Sequence, residues 1–244
     1  MSNLVLIPTY NEAENIHGLV HAISSLSVPF DILIIDDNSP DGTGTIAKDL
    51  MRIYPNLHLL ERPEKAGLGR AYIAGFDWAL QRDYEYICEM DADFSHNPDD
   101  LVRLWEACAR NGVDLAIGSR YISGVNVVNW PIGRVLMSYI ASMYVRLITG
   151  MKIKDTTAGF KCYRREVLKN IDPGHIRSVG YGFQIEMKFT AWLLGYNIVE
   201  IPIIFTDRRA GTSKMSGGIF SEAMWGVLRM RIVSLFRKPR RADG

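Results

Sequence analysis

Short apolar runs alternate along the first half of the chain with segments whose apolar residues recur at helical spacing. The run at 4–7 is apolar throughout, as is typical of a strand covered on both faces, and mainly apolar runs predict further strands at 30–35, 57–60, 86–90 and 114–118. Helices are predicted at about 11–26 and 44–54, from about 65 onward, and at about 98–110. This alternation indicates an α/β fold with a mostly parallel central sheet and helices on both faces.

The starts of two helices carry recognisable signals. Asn11 is predicted to cap the first helix, and Glu14, three residues later, would complete a capping box. The loop at 65–71 contains two glycines before a helix, but it lacks the full G-x-G-x-x-G and does not open the first βα unit. A dinucleotide-binding site is therefore not indicated there.

The pattern changes after residue 120. Residues 135–148 have helical length and are apolar on nearly every side, which indicates either burial or a position at a membrane interface. Two further helices are predicted near 164–169 and at about 182–194, followed by an apolar strand at 198–205. The last helix, about 219–236, combines apolar and basic side chains. We expect one domain over residues 1–218 and a C-terminal extension, an amphipathic helix with a basic tail, over 219–244.

Composition adds few constraints on function. The chain has 244 residues, 48% hydrophobic and 23% charged, as expected of one globular domain, and its net charge of +1 gives no general attraction to nucleic acid. Its three cysteines, Cys88, Cys108 and Cys162, form no C-x-x-C pair, which favours a reducing compartment without a metal–thiolate site. The first strand begins at Leu4, which leaves no room for a signal peptide, and no apolar run reaches the ~18 residues of a membrane span. We therefore expect a soluble or peripheral protein.

Two carboxylates, Asp91 and Asp93, follow the strand predicted at 86–90. The i, i+2 spacing puts both on one face of a strand, and the turn at 94–98 would hold them at its carboxyl end. Ligands of open α/β sheets bind outside the carboxyl ends of the strands. Two acids there suit a hard divalent cation that also grips a diphosphate, although a solvated Asp-x-Asp turn is the simpler interpretation of this motif alone.

Other predicted strands end in polar groups as well. Residues 9–12 (Thr-Tyr-Asn-Glu) follow the first strand, Asp36 and Asp37 follow the second, and Arg120 follows the fifth. Because the carboxyl ends of parallel strands meet at one edge of a sheet, these groups are expected to converge with the acidic pair. Such convergence indicates a ligand site more strongly than one acidic strand end does.

In these motifs the sequence resembles the inverting nucleotide-sugar glycosyltransferases of family 2, which have the GT-A fold, and among them the polyprenyl-phosphate (dolichyl-phosphate) mannosyltransferases. The matching segments are 8–12 (PTYNE), 35–43 (IDDNSPDGT), 90–96 (MDADFSH), 118–121 (GSRY), 129–131 (NWP) with Arg134 and Ser138, 157–160 (TAGF), and Arg208 with 211–214 (GTSK). They run in order over about residues 3–218, which makes the combination more specific than any one motif.

The resemblance implies a role for each matching residue. The donor nucleotide sugar would be bound by Pro8, Tyr10, Glu12, Ile35, Asp37, Asp91, Ala92, Asp93, Arg208 and Lys214. A Mg²⁺ or Mn²⁺ ion would be held by Asp91, Asp93 and, where some relatives have a metal-contacting Gln, Ser95. The acceptor phosphate would be received by Arg120, Arg134 and Ser138, and the catalytic residues would be Asp91, Asp93 and Arg120. The two arginines could instead be ion-pair partners of surface carboxylates.

The implied reaction transfers mannose from GDP-mannose to a polyprenyl phosphate, with inversion at the anomeric carbon. A phosphate acceptor is ionised near neutral pH, so it needs cations but no general base. In agreement, the helix at 182–187 (GFQIEM) lacks the Glu-Asp pair of family 2 polysaccharide synthases, and the chain lacks their Gln-x-x-Arg-Trp motif. UDP-glucose as donor, a glycan or protein hydroxyl as acceptor, and a catalytically silent binding subunit stay open as alternatives.

The resemblance also implies that the protein binds peripherally to the cytoplasmic face of a membrane, with a small membrane-anchoring subunit as a candidate further partner. The basic residues in and after the last helix are Arg229, Arg231, Arg237, Lys238, Arg240 and Arg241. They would draw this helix to an anionic leaflet while its apolar side chains entered the acyl boundary. The apolar helix at 135–148 would add a second contact.

Overall fold

The computed structural model describes residues 2–171, 176, 178, 180–207 and 217–236. The strands are β1 (Asn3–Thr9), β2 (Asp31–Asp36), β3 (Leu57–Glu61), β4 (Tyr86–Glu89), β5 (Leu115–Ser119), β6 (Val127–Val128), β7 (Lys161–Arg164), β8 (Ile198–Pro202) and β9 (Phe205–Thr206). The helices are α1 (Ala13–Ser24), α2 (Thr43–Leu50), α3 (Leu68–Leu80), α4 (Asp100–Arg110), α5 (Ile132–Thr149), α6 (Arg165–Asn170), α7 (Tyr181–Leu193) and α8 (Gly217–Phe236).

A seven-stranded sheet in the order β3-β2-β1-β4-β7-β5-β8 forms the centre of the described structure. Its neighbouring strands run parallel except at β7, which is antiparallel to both β4 and β5. β6 and β9 form a separate parallel pair. The α/β fold with a mostly parallel sheet, predicted from the alternation of apolar runs and helical segments, is confirmed.

Alternate residues of β1 show why the sheet is covered on both faces. Leu4 and Leu6 pack into one apolar cluster with residues of α3, α5, α6, α7 and α8. Val5 and Ile7 join a second cluster with residues of α1, α2 and α4. All four side chains are fully buried, and each burial contributes about 1.5–3 kcal/mol. The two helical layers leave the carboxyl ends of the parallel strands, with their polar residues, at one edge.

The start of α1 differs from the sequence prediction. Asn11 is not the cap, because its backbone is left-handed with φ of 59° and Glu12 takes the N-cap position without a side-chain cap hydrogen bond. The predicted capping box therefore does not form. The loop after β2 supplies acceptors instead, since Asp41 accepts from the Ala13 amide at 3.0 Å and Ser39 accepts from the Asn11 amide at 3.1 Å.

The sequence pattern also misses or merges strands in the second half. β7 has the sequence KCYR, which begins and ends with a basic residue and does not read as an apolar run. The strand predicted at 198–205 is divided, because β8 ends at Pro202 and β9 begins at Phe205. β9 leaves the main sheet and pairs with β6.

α5 and α8 pack against each other at one side of the helical layer. Tyr144 on α5 donates a hydrogen bond to the Met224 carbonyl of α8 at 3.1 Å, and Val227 of α8 is buried in the core. The opposite face of α5 exposes a line of apolar residues at helical spacing, here called the α5 stripe: Ile132, Leu136, Ile140, Met143 and Leu147.

The apolar residues of α8 are not confined to one face. Val227 is buried, whereas Trp225, Ile232, Leu235 and Phe236 are exposed. The separate apolar and polar faces that the sequence predicts for this helix are therefore not seen in the part of it whose side chains are described. Among the described helices, none combines the length and the hydropathy needed to traverse a bilayer.

Candidate active site

The chain turns sharply after β4, and this turn carries the predicted metal ligands. Phe94 has a left-handed backbone conformation with φ of 58°, which is uncommon for an aromatic residue. The Ser95 amide donates a hydrogen bond to Asp93 Oδ1 at 3.1 Å, and both Asp91 and Asp93 line an adjacent cavity. Backbone strain of this kind is concentrated at functional sites, where surrounding contacts hold it.

His96 holds the backbone of this turn in place. Its buried ring stacks on Phe160 with a centroid distance of 4.7 Å, and its Nδ1 accepts a hydrogen bond from the Asp91 amide at 3.3 Å. Burial lowers the pKa of His96 to about 4, so the ring is neutral near pH 7 and can act as an acceptor. The sequence alone indicates no more than a turn residue at this position.

The cavity beside these acids has a volume of about 210 Å³. Its polar end is lined by Asp91, Asp93, Ser95, His96, Arg120, Trp130, Arg134, Ser138, Thr157, Gln184 and Asp207. Its apolar end lies between α5, α7 and α8 and is lined by Met137, Ala141, Tyr144, Val145, Ile185, Met224 and Val227. The same cavity thus has a region lined by charged side chains and an adjoining region lined by apolar ones.

Arg120 is held by a buried carboxylate. Its Nε and Nη2 donate to the two oxygens of Asp155, each at 2.7 Å, and Nη2 also donates to Thr157 at 2.7 Å. Burial by itself would raise the pKa of Asp155, but the Arg120 charge and hydrogen bonds outweigh it, so the pKa lies below its usual 3.8. Arg120 is therefore an ion-pair partner, although of a buried carboxylate and not of a surface one.

Arg134 takes part in a more accessible ion pair. Its Nη1 lies 2.9 Å from Asp207 Oδ1, with 25% of the Arg134 side chain and 33% of the Asp207 side chain exposed. The guanidinium lies over the Trp130 ring, 4.1 Å from its centroid. Ser138 lies on the same helix and lines the same cavity.

The residues expected to bind the nucleoside lie at the neighbouring ends of β1 and β2. Lys65 Nζ lies over the Tyr10 ring, 4.3 Å from its centroid, and Arg62 pairs with Asp37 at 2.9 Å. Burial raises the pKa of Asp37, although the Arg62 charge opposes that shift. These groups form a second polar cluster beside the cavity, with aromatic and cationic surfaces suited to a nucleotide.

Only part of the predicted set meets in one place. Among the described residues, the cavity is lined by Asp91, Asp93, Ser95, Arg120, Arg134 and Ser138, but not by Pro8, Tyr10, Glu12, Ile35, Asp37 or Ala92. Ile35 is fully buried in β2, and Glu12 accepts a hydrogen bond from Asn15 at 2.9 Å. Arg208 and Lys214 lie outside the described residues, so their roles stay predictions.

The donor atoms at the polar end suit a hard divalent cation. Asp91 and Asp93 supply carboxylates, and Ser95, 2% exposed, has a hydroxyl with no hydrogen-bond partner within the described residues. Arg120 and Arg134 are each paired with a carboxylate other than these two, Asp155 and Asp207 respectively. No three His, Cys, Asp or Glu side chains of the described chain form a metal-binding group. The residues thus fit a cation that takes its remaining ligands from substrate phosphates and water.

Comparison with known proteins agrees with this chemistry. The family described as Glycosyl transferase family 2 matches residues 4–172. A polyprenol monophosphomannose synthase of Mycolicibacterium smegmatis is 49% identical over 230 residues, which cover 92% of this chain and 86% of that protein. An undecaprenyl-phosphate mannosyltransferase of Micrococcus luteus is 47% identical over 229 residues, which cover 94% of this chain and 93% of that protein.

Solved structures share the fold at low sequence identity. Glucosyl-3-phosphoglycerate synthase of Mycobacterium tuberculosis, in complex with Mn²⁺, UDP and glucosyl-3-phosphoglycerate, has a TM-score of 0.66 at 16% identity over 95% of this chain and 79% of that one. A mannosyltransferase of Pyrobaculum calidifontis, in complex with GDP-Man and Mn²⁺, has a TM-score of 0.58 at 16% identity over 96% of this chain and 73% of that one. The GT-A-like fold is confirmed, and the chain belongs to glycosyltransferase family 2.

Proposed function

We propose that this enzyme transfers mannose from GDP-mannose to a polyprenyl phosphate, with inversion, and releases polyprenyl phosphate mannose. The observation that carries the proposal is the cavity, in which a carboxylate pair, an arginine in an accessible ion pair and an apolar wall adjoin one another. The relatives at 49% and 47% identity, whose names describe transfer of mannose to polyprenyl phosphates, support the same choice of substrates.

The polar end would hold the donor's diphosphate. Asp91 and Asp93 would bind Mg²⁺ or Mn²⁺, with the Ser95 hydroxyl as a neutral third oxygen. A cation there neutralises the negative charge of the departing diphosphate. An acceptor phosphate oxygen would attack the anomeric carbon from the face opposite the diphosphate. The glycosyl-phosphate bond then forms as the bond to the diphosphate breaks, and the configuration inverts.

Arg134 is the arginine better suited to receive the acceptor's phosphate. Its pair with Asp207 is partly exposed, so an incoming phosphate can replace the carboxylate at little energetic cost. Arg120 already uses Nε and Nη2 on buried partners. We therefore assign Arg120 to the electrostatic field of the site and to the position of the loop at 155–157.

The described carboxylates near the cavity favour a phosphate acceptor over a hydroxyl acceptor. Asp91 and Asp93 are needed for the cation, and Asp207 pairs with Arg134. Glu186 is not among the lining residues and accepts a hydrogen bond from the Ser178 amide at 2.9 Å. A hydroxyl acceptor would need a general base within hydrogen-bond reach, whereas a phosphate that is already ionised does not.

A lipid acceptor requires the enzyme to work at a membrane surface, which we propose is the cytoplasmic face. The α5 stripe supports this, since its terminal members, Ile132 and Leu147, are 85% and 83% exposed. Inserted at the acyl boundary, the stripe would bring Arg134, on the same helix, to the depth of lipid phosphates. A small membrane-anchoring subunit is a second candidate for covering this surface, and vesicle binding by the chain alone distinguishes the two.

Incubation of the purified chain with Mn²⁺, polyprenyl phosphate and either labelled GDP-mannose or labelled UDP-glucose tests the proposal. We expect label to enter the organic extract from GDP-mannose only, and Asp91→Asn to reduce it by a factor of about a hundred or more. Label from UDP-glucose alone would show that the donor is wrong. Label in a water-soluble glycan would show that the acceptor is wrong, and no transfer from either donor would contradict the proposed reaction.

A further inference from the structure

A group of buried polar side chains lies directly behind the metal-binding turn. Glu89 ends β4, two residues before Asp91, and Lys161 is its register partner on the antiparallel strand β7. Lys161 Nζ and Glu89 Oε2 are 3.1 Å apart, and both side chains are fully buried. Gln184 on α7 joins them, because its Nε2 donates to Glu89 Oε2 at 2.9 Å and its Oε1 accepts from Lys161 Nζ. The three residues form a closed triangle.

The triangle reaches the cavity through Gln184, which is one of the lining residues. Gly159 lies between its amide and the metal-binding acid: a methyl group added at Gly159 would be 3.7 Å from Gln184 Nε2 and 3.9 Å from Asp91 Oδ2. One turn further along α7, Lys188 donates to the Ala158 carbonyl at 2.6 Å. α7 is therefore attached both to the end of β4 and to the loop that faces Asp91.

A contribution to stability does not by itself explain why the charged residues Glu89 and Lys161 are buried here. Apolar residues of similar volume in place of a buried ion pair are often neutral or stabilising. Burial lowers the pKa of Lys161, and the Glu89 charge opposes that shift. The attraction between the two charges therefore offsets only part of the cost of removing the Lys161 ammonium from water. The hydrogen bonds of this triangle have a directional geometry that an apolar cluster lacks, and they can fix a strand end relative to a loop.

We propose that Gln184 is a positioning residue for the cation site. It holds the Asp91 carboxylate in its binding geometry through Glu89, at the root of the turn, and through its place beside Gly159, which faces the same carboxylate. Lys161 fixes the orientation of the Gln184 amide. The inference rests on the proposed function in one respect, the binding of a divalent cation at the metal-binding turn. Residues that orient metal ligands typically contribute about 10–100-fold to metal affinity or activity.

Gln184→Met tests this role, because methionine has a similar length but no amide, and Glu89 and Lys161 still neutralise each other. We expect the Kd for Mn²⁺, measured by electron paramagnetic resonance on the full chain with GDP present, to rise about 10–100-fold. The KM for polyprenyl phosphate should stay at the wild-type value. Gln81→Met, at the exposed end of α3, is the matched control and should bind Mn²⁺ as the wild type does.

The outcomes separate this inference from the proposed function. A folded Gln184→Met variant that binds Mn²⁺ with wild-type affinity overturns the inference and leaves the proposed transfer untouched. A wild-type chain that binds no Mn²⁺ in the presence of GDP overturns both. If Gln184→Met shows no cooperative thermal unfolding, Gln184→Leu replaces it, since leucine also lacks the amide that donates to Glu89. The same rise in Kd is expected, and an unchanged Kd overturns the inference.

Discussion

Arg120 and Asp155 meet inside the protein in a two-point ion pair whose hydrogen bonds are both 2.7 Å long. Asp155 also accepts from the Arg120 backbone amide at 3.0 Å, so one carboxylate fixes the backbone and the side chain of the residue after β5. The pair formed by Arg134 and Asp207 is partly exposed, with a contact of 2.9 Å. The first arginine is thus part of the framework of the site, whereas the second can exchange partners.

Asp155→Asn should destabilise the fold because it leaves the buried Arg120 charge without its counter-charge. Breaking a buried pair by removing one partner costs about 3–5 kcal/mol, and the midpoint of urea denaturation measures it. Asp49→Asn is the matched control, because Asp49 pairs with Arg52 on the surface with 63% of its side chain exposed. Its loss should cost about 0–1 kcal/mol. Equal effects of the two substitutions would contradict the assigned role.

The contribution of Asp155 should also depend on pH. Its pKa is lower in the folded chain than the usual 3.8, so the unfolded chain takes up the proton first as the pH falls. The stabilisation is therefore complete above the unfolded pKa and is lost as the pH falls through the folded one. The difference in unfolding free energy between wild type and Asp155→Asn should be constant above about pH 5 and shrink below about pH 4. If this difference in unfolding free energy were undiminished at pH 2, the pair would not act through its charge.

Arg134→Gln should impair use of the lipid phosphate more than binding of the donor. Losing a charged hydrogen bond to a phosphate costs about 1.5–3 kcal/mol, so the acceptor KM should rise at least tenfold while calorimetry shows unchanged affinity for GDP-mannose. Asp207→Asn should act in the opposite direction, because it removes the carboxylate that competes with the acceptor for Arg134. Loss of GDP-mannose binding with a normal acceptor KM would place Arg134 at the donor instead.

Asp91→Asn and Asp93→Asn should each reduce mannose transfer by a factor of about a hundred or more, since each removes a charged ligand from the cation that stabilises the diphosphate. Ser95→Ala removes only a neutral ligand and should be milder. Transfer rates over a Mn²⁺ titration measure all three, with circular dichroism to verify the fold. Near-normal turnover of both aspartate variants at saturating Mn²⁺ would disprove the metal assignment.

Replacing Leu136, Ile140 and Leu147 of the α5 stripe together by serine should weaken binding to anionic vesicles, because exposed apolar area that could enter the bilayer is removed. Activity on a short, water-soluble polyprenyl phosphate should be retained. Ile53→Ser, at an exposed apolar residue of the α2–β3 loop, is the control. Unchanged vesicle flotation of the triple variant would exclude the stripe as the membrane contact. Deleting residues 219–244 is a less specific test, because it also removes the buried Val227.

The sheet edge and its acidic turn are predictable from sequence because the signals are local. An apolar run followed directly by polar residues defines a strand and its end, and this suffices to bring Asp91, Asp93 and Arg120 to the same cavity. Relations between distant residues carry no such signal. Asp155 lies 35 residues from Arg120 and Asp207 lies 73 residues from Arg134, and no periodicity in either segment indicates the pairing.

The errors in the predicted elements have the same origin. β7 is too short and too basic to be recognised alone, and it becomes a strand because β4 and β5 flank it on both sides. Asn11 fits the sequence pattern of a cap, but the helix start is held instead by hydrogen bonds that the Asn11 and Ala13 amides donate to side chains of the loop after β2. The bond from Gln184 to Glu89 spans 95 residues and is likewise a product of tertiary structure.

The place of β7 between β4 and β5 has a consequence for synthesis on the ribosome. The strands β3-β2-β1-β4 can pair as soon as residues up to 89 have emerged, but β4 then forms an open edge until residues 161–164 follow. Pairing over such a sequence distance is slow, and an unpaired edge invites association with other chains. Stalled nascent chains that end near residue 150 should therefore resist protease in the first strands yet depend on chaperones to stay monomeric. The ligand cavity is lined by residues that precede β7 in the sequence and by residues that follow it, so it would be the last part of the enzyme to form.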